Sequence, residues 1–277
     1  MKKYLFTFVL FVTISVFGVT DDNIRTYTER NSNNSFSLFA DNLAYCPIYI
    51  NITFSILDNL SATVEIPYET VIPPRSFRNK LFDLNPINRR EATSLSYRYY
   101  YNLGDPVNVT PDTSFLYLFP FAPGERFRVM QGINGTFSHF DESQYAIDFD
   151  MPIGTPIHAA RDGIVVEIKQ DSNIGGNDRR FINDGNYILI YHSDGTFGNY
   201  VHFRYNGVAV TLGQFIEAGQ LIGYSGNTGF SSAPHLHFAV CVPQRNASMT
   251  SIPFKFITNN LEGVIPREGE FYESFYP

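Results

Sequence analysis

The stretch SSAPHLHFAV at residues 231–240 sets two histidines, His235 and His237, one residue apart in a run that reads as a β-strand. On a strand, residues i and i+2 share a face, so the two imidazoles stand side by side while Leu236 and Phe238 turn the other way into a core. That arrangement builds a metal site or a proton-transfer pair; it also suits two histidines on a wet sheet face. Two further segments tip the balance. In YAIDFDM, Asp148 and Asp150 alternate with Ile147 and Phe149, and in NYVHFRY, His202 alternates with Val201 and Phe203. Separate strands thus each place a carboxylate or an imidazole opposite an apolar face. One aspartate with two histidines is a normal ligand set for a catalytic zinc that keeps a position open for water.

These residues fall in the glycine-rich segment that follows PFAPGERF, where a domain boundary is expected, so that a second domain runs over residues 120–245. Its other strands are GIVVEI, NYILIYH and GQLIGYSG, joined by the turns PIGTP, HSDGT and SGNTG. Before it, residues 35–119 carry short alternating runs such as IYINITFSI and SLSYRYYYNL, split by turn signals, which predicts a β-sandwich of immunoglobulin-like size with no residues of evident chemistry. Residues 21–34 are polar and Asn-rich and read as a mobile spacer, and the acidic, aromatic stretch 246–277 reads as a C-terminal tail without an assigned role. The aromatic content of 16% and the scarcity of helical periodicity make the expected fold class all-β.

The runs YAIDFDMPIGTPIHAARDGIVVEI, ILIYHSDGTFGNYVHF and GQFIEAGQLIGYSGNTGFSSAPHLHF, in that order, resemble the lysostaphin-type, or LytM-like, zinc endopeptidases, which cut peptide cross-links in bacterial peptidoglycan. The resemblance spans roughly residues 131–242. It implies an antiparallel, partly closed β-barrel or sandwich around a groove, a Zn2+ cofactor and a peptidoglycan peptide as substrate. It implies Asp148 and His237 as zinc ligands, and His202 and His235 as the catalytic imidazoles that orient the attacking water and stabilise the developing oxyanion. The chain departs from the family at one point: the histidine usual in an H-x-x-x-D motif is replaced by Gln144. A glutamine oxygen is a poor zinc ligand beside imidazole. Either the site is damaged, leaving a relative that binds cell wall or regulates another hydrolase without cutting, or His139, in the polar NGTFSHFDESQ segment, takes the missing place. Retention of Asp148, His202, His235 and His237 on one face favours the enzyme, with His139 as third metal ligand.

Other residues receive plainer readings. His158 is expected at the surface, His192 as a hairpin cap, Tyr145 and Tyr200 in the core or groove wall, and Arg204 as an exposed strand residue. Cys46 and Cys241 are too few for a disulfide scaffold and either pair once or stay buried. A biotinyl or lipoyl carrier needs a lysine at a hairpin tip, and residues 195–242 contain none. The formal net charge of −7 excludes nucleic acid as an expected partner, because phosphate neutralisation needs Lys and Arg. The first residues, MKKYLFTFVLFVTISVFGVT, have the basic start, apolar run and small-residue end of a signal peptide over residues 1–20. Export to a periplasmic, envelope or extracellular location is therefore expected, with no membrane span after cleavage. The oligomeric state is left open by the sequence.

Overall fold

Alternation of apolar and polar side chains gives the strands Ile147–Asp150, Phe197–Val201 and His235–Val242, whose inward residues Ile147, Phe149, Tyr200, Leu236 and Phe238 are buried. The computed structural model describes residues 5–6, 19–20, 22–245 and 249–277, and the chain divides into two compact units. The signal peptide expected over residues 1–20 lies outside the described residues apart from the short pairs 5–6 and 19–20. Among the described residues no helix is long and apolar enough to cross a membrane.

The first unit takes in residues 1–107 and 245–248. It contains a five-stranded sheet in the order Val19–Thr20, Ile24–Arg30, Phe36–Asn42, Asn79–Pro86, Leu60–Ala62. A four-stranded sheet runs in the order Leu5–Phe6, Ser94–Leu103, Ile48–Asp58, Tyr68–Ile72. Every pairing in both is antiparallel. The stretch expected as a mobile spacer, residues 21–34, is instead largely the Ile24–Arg30 strand, because Ile24, Thr26 and Tyr27 are buried and the backbone pairs in register with Phe36–Asn42. In Ile48–Asp58 the expected alternation fails in the first half: Tyr49 and Asn51 are buried together with the isoleucines.

The second unit takes in residues 108–244 and 249–277. Its main sheet runs Phe215–Ile216, Gly163–Lys169, Tyr187–Tyr191, Phe197–Val201, His235–Val242, Ile147–Asp150, Arg126–Gln131, Phe271–Glu273. Thr250–Ser251 pairs off this path, against His235–Val242. A three-stranded sheet of Pro156–His158, Leu221–Ser225 and Phe203–Val208 accompanies it. The barrel closure implied by the resemblance is absent: among the described residues the sheet path ends at two separate edge strands and does not return on itself. The unit begins earlier than the PFAPGERF turn, since Tyr117, Phe119 and Phe121 lie in its core. The C-terminal stretch is structural, not a tail. Phe256, fully buried, stacks on Phe119 with centroids 4.5 Å apart, and Phe149 and Phe238 meet it from the back of the strands that carry Asp148 and His237.

Candidate metal centre

Cross-strand register sets the first elements of the site. Asp148 pairs with His237, Asp150 with His235, and Gln131 with Asp148, so Gln131, Asp148 and His237 form one row across three strands. Neighbours in such a row share a face at contact distance. Asp148 Oδ1 lies 2.9 Å from His237 Nδ1 and 3.1 Å from His139 Nε2, and Asp148 Oδ2 lies 3.8 Å from His235 Nε2. His139 therefore reaches the aspartate from its loop. One ligand atom each from His139, Asp148 and His237 fall within 4.8 Å of one another. Gln144, at the family's usual ligand position, turns away and donates from Nε2 to Asn134 Oδ1 at 2.8 Å.

The loop between Gln131 and Asp148 makes this reach possible. His139 N–H donates to Gly135 O at 3.0 Å, and the ring Nδ1–H donates to Gly132 O at 2.7 Å. A carbonyl only accepts, so Nδ1 carries the proton and Nε2 is the nitrogen presented to Asp148. That Nε2 is buried and has no hydrogen-bond partner, although it stands at ion-pair distance from the carboxylate. A pair of facing electron-rich atoms in a buried site is the arrangement a cation completes, and an N/O donor set of two imidazoles and one carboxylate suits zinc.

The electrostatics agree. Burial works to raise the Asp148 pKa, but the imidazoles of His235, His139 and His237 gathered around it outweigh that and hold the carboxyl well below the usual carboxylate range. Burial works to lower the pKa of His139, and the Asp148 carboxylate overcomes that and raises it. The pocket around Asp148 thus favours positive charge. His237 is lowered, by burial first.

His202 and His235 stand beside the group, ring centroids 4.4 Å apart. His235 Nδ1–H donates to Ala233 O at 2.7 Å, and His202 Nδ1–H donates to Thr228 O at 2.7 Å, which leaves Nε2 of each ring with a free lone pair. The alternation NYVHFRY suggested for His202 does not hold. The chain breaks between Phe197–Val201 and Phe203–Val208, and His202 sits in the break with φ of 73°, its N–H donating to Asn186 O at 2.8 Å. A non-glycine residue held at positive φ costs on the order of 1 kcal/mol and persists where the surroundings impose it. Asn186, fully buried, supplies that imposition: its side chain donates to Ser172 O and Phe203 O and accepts from Ser172 N–H. Burial, then the neighbouring His235 and His237, push the His202 pKa down to about 3.

The remaining residues fall outside this cluster. His158 is half-buried rather than at the surface, its Nδ1 3.1 Å from Tyr276 Oη. His192 is fully buried, its ring Nδ1–H donating to Asp162 O at 2.7 Å while its backbone N–H donates to Thr196 O and its carbonyl accepts from Gly195 N–H. Tyr200 is core, its hydroxyl accepting from Ala160 N–H at 2.8 Å. Arg204 is exposed and lies over the Tyr224 ring, 4.6 Å from its centroid. Cys46 and Cys241 are both buried, and burial pushes the Cys241 thiol up to about 12. The site residue that sequence reasoning missed is Gln131, buried and bonded to Asp148. Its only signal is a polar residue next to a glycine at the end of the Arg126–Gln131 strand.

Residues 142–249 match the model of peptidase family M23. That span includes Asp148, His202, His235 and His237 and begins after His139. Lysostaphin of Staphylococcus simulans is 40% identical over 128 residues, 46% of this chain and 22% of that protein. The peptidoglycan DD-endopeptidase ShyA of Vibrio cholerae is 38% identical over 108 residues, 38% of this chain and 22% of that protein. The chain therefore spans less than a quarter of the length of these curated relatives. Among solved structures, the catalytic domain of lysostaphin from Staphylococcus simulans is 33% identical and aligns over 50% of this chain and 88% of that one, with a TM-score of 0.31. Residues 142–249 are thus a peptidase family M23 domain, and the peptidases of that family are zinc metalloenzymes.

Proposed function

We propose that this protein is an exported, zinc-dependent endopeptidase that hydrolyses peptide cross-links of bacterial peptidoglycan, with His139, Asp148 and His237 holding the metal and His202 and His235 acting on the substrate. The observation that carries this reading is that one ligand atom each of His139, Asp148 and His237 lie within 4.8 Å of one another, with His139 Nε2 and His237 Nδ1 both beside Asp148 Oδ1. When bound, zinc supplies the Lewis acidity that polarises an amide carbonyl and activates water at neutral pH. The chain's own residues do the rest. Ala233 O and Thr228 O fix the tautomers of His235 and His202, so that each ring presents a lone pair at Nε2: His235 takes a proton from the attacking water and returns it to the leaving amine, and His202 orients that water by accepting its hydrogen bond. The Asp148 carboxylate, kept ionised, favours positive charge beside it.

The non-cutting alternative draws its support from Gln144; the His139 ring beside Asp148 supports the cutting reading instead. Export rests on the Lys2–Lys3 start and the apolar run after it. We read the N-terminal unit, with its two antiparallel sheets, as an immunoglobulin-like accessory module. The test of the enzymatic reading is direct: protein purified without the leader is assayed for bound zinc and for clearing of a peptidoglycan suspension, with products identified by mass spectrometry. Metal-dependent release of cross-linked peptides is expected. Failure to take up zinc, or an unchanged suspension with zinc bound, refutes it.

A further inference from the structure

One side chain touches both halves of the metal centre without being a ligand. Gln131, 6% exposed, accepts at Oε1 from Phe137 N–H at 3.0 Å and from Ser138 N–H at 3.3 Å. Backbone N–H groups only donate, so this fixes which end of the amide is which. Its Nε2 then donates to Ser138 Oγ at 2.8 Å and to Asp148 Oδ2 at 3.2 Å. The amide thus grips the segment that ends in His139 and, from the same group, the oxygen of Asp148 that does not face His139 and His237.

We propose that Gln131 is a positioning residue of the metal centre, locking the Asp148 carboxylate and the His139 loop in one geometry so that a ligand from an irregular loop binds as tightly as one from a strand. The proposal rests on the metal reading given above. Its physical basis is the distance in sequence between the two ligands. A ligand on the same strand as Asp148 is placed by the sheet, whereas His139 lies in a loop whose ordering entropy must be met by other bonds. The Gly132 carbonyl orients the His139 ring, and the Gln131 amide holds the backbone that carries it. By donating to Oδ2, Gln131 also fixes the rotation of the carboxylate and so the direction of Oδ1. Groups that orient metal ligands in this way typically contribute about 10–100-fold in metal affinity. Gly135 belongs to the same device: a Cβ there would come within 2.2 Å of Gln131 Cγ, so only glycine lets the amide lie against the loop.

The test measures zinc affinity by competition with a chromophoric chelator, and the ligand field by the d–d absorption of the Co2+-substituted protein. Gln131→Met, which keeps length and loses both ends of the amide, is expected to weaken zinc binding about 10–100-fold and to alter the cobalt spectrum. Gly135→Ala, which displaces the amide without removing a polar group, is expected to do the same. The double variant is then no worse than either single one, because both remove one interaction. A core variant away from the site such as Ile216→Ala, matched for loss of melting temperature in the metal-free protein, is expected to keep wild-type affinity and spectrum. If Gln131→Met binds zinc within threefold of wild type, Gln131 only staples the loop and the proposal is overturned. A wild-type protein that binds no zinc would instead refute the metal reading beneath it.

Discussion

Replacing His139 by alanine is the perturbation that bears most directly on the site. The imidazole is 1% exposed, and in the proposed site it would contribute one of three protein ligand atoms, with the fourth position left for water. Four-ligand zinc sites bind with roughly 10–16 kcal/mol, so one ligand is worth about 3 kcal/mol, or about 10²-fold in the dissociation constant. The loss has a thermal signature. At a zinc concentration of about 1,000 times the wild-type dissociation constant, the metal stabilises the fold by about 4 kcal/mol, whereas a variant binding a hundredfold more weakly gains about 1.4 kcal/mol. The difference of about 2.7 kcal/mol corresponds to a melting temperature gap of roughly 5–10 °C for a unit of this size. Melting both proteins with chelator present separates this from the packing lost with the ring, because the packing cost appears in the metal-free pair and the metal cost only in the loaded pair. Gln144→His should not rescue His139→Ala, since the Gln144 side chain is turned toward Asn134. The reasoning is refuted if His139→Ala binds zinc as tightly as wild type, or if Gln144→His restores binding.

His202→Ala and His235→Ala should each retain zinc and lose about 10²–10⁴-fold in turnover, read by parallel metal analysis and peptide release; loss of metal in either would move that residue into the ligand set. His192 predicts a pH dependence of stability: burial lowers its pKa from 6.5 to about 4, so the folded chain favours the neutral ring while the unfolded chain takes up the proton first. Stability contributed above pH 6.5 is therefore lost as the pH falls toward 4, by about 3 kcal/mol in all, and His192→Gln should flatten this slope in denaturant titrations run across that range. Asn186→Ala strips bonds from Ser172 and Phe203 and should cost several kcal/mol, at about 1–3 kcal/mol for each buried group left unpaired, along with the placement of His202. Phe256→Ala should cost about 3–5 kcal/mol by calorimetry, because this ring closes the core behind the site.

The parts of the site that were readable in the sequence are those governed by the period of a strand. Asp148, His235 and His237 alternate with Ile147, Phe149, Leu236 and Phe238, and the sheet puts the polar set on one face and the apolar set in the core. Period-two alternation carries no information once the backbone leaves the strand. His202 was aligned with a strand and sits at a break with positive φ, held by Asn186 from a different part of the chain. Gln131 makes its bonds to backbone amides of a loop, which leave no trace in residue type. Pro and Gly marked a turn at PFAPGERF correctly but not a boundary, because the aromatics before it belong to the second core.

The same distinction explains how a ligand can move along the chain without the site being lost. A strand fixes where its residues point, so Asp148 and His237 could not exchange places with neighbours without turning into the Phe149 and Phe238 core. A loop fixes nothing until its bonds are made. In the proposed site, a third imidazole at position 139 instead of 144 therefore asks for no change in the sheet, only a set of bonds: the Gly132 carbonyl to set the ring's tautomer, and the Gln131 amide to hold the loop against Asp148. Metal affinity in this chain should accordingly depend more on residues 131–139 than on the strands that supply the other two ligands' neighbours, because in the strands the sheet has already done the positioning.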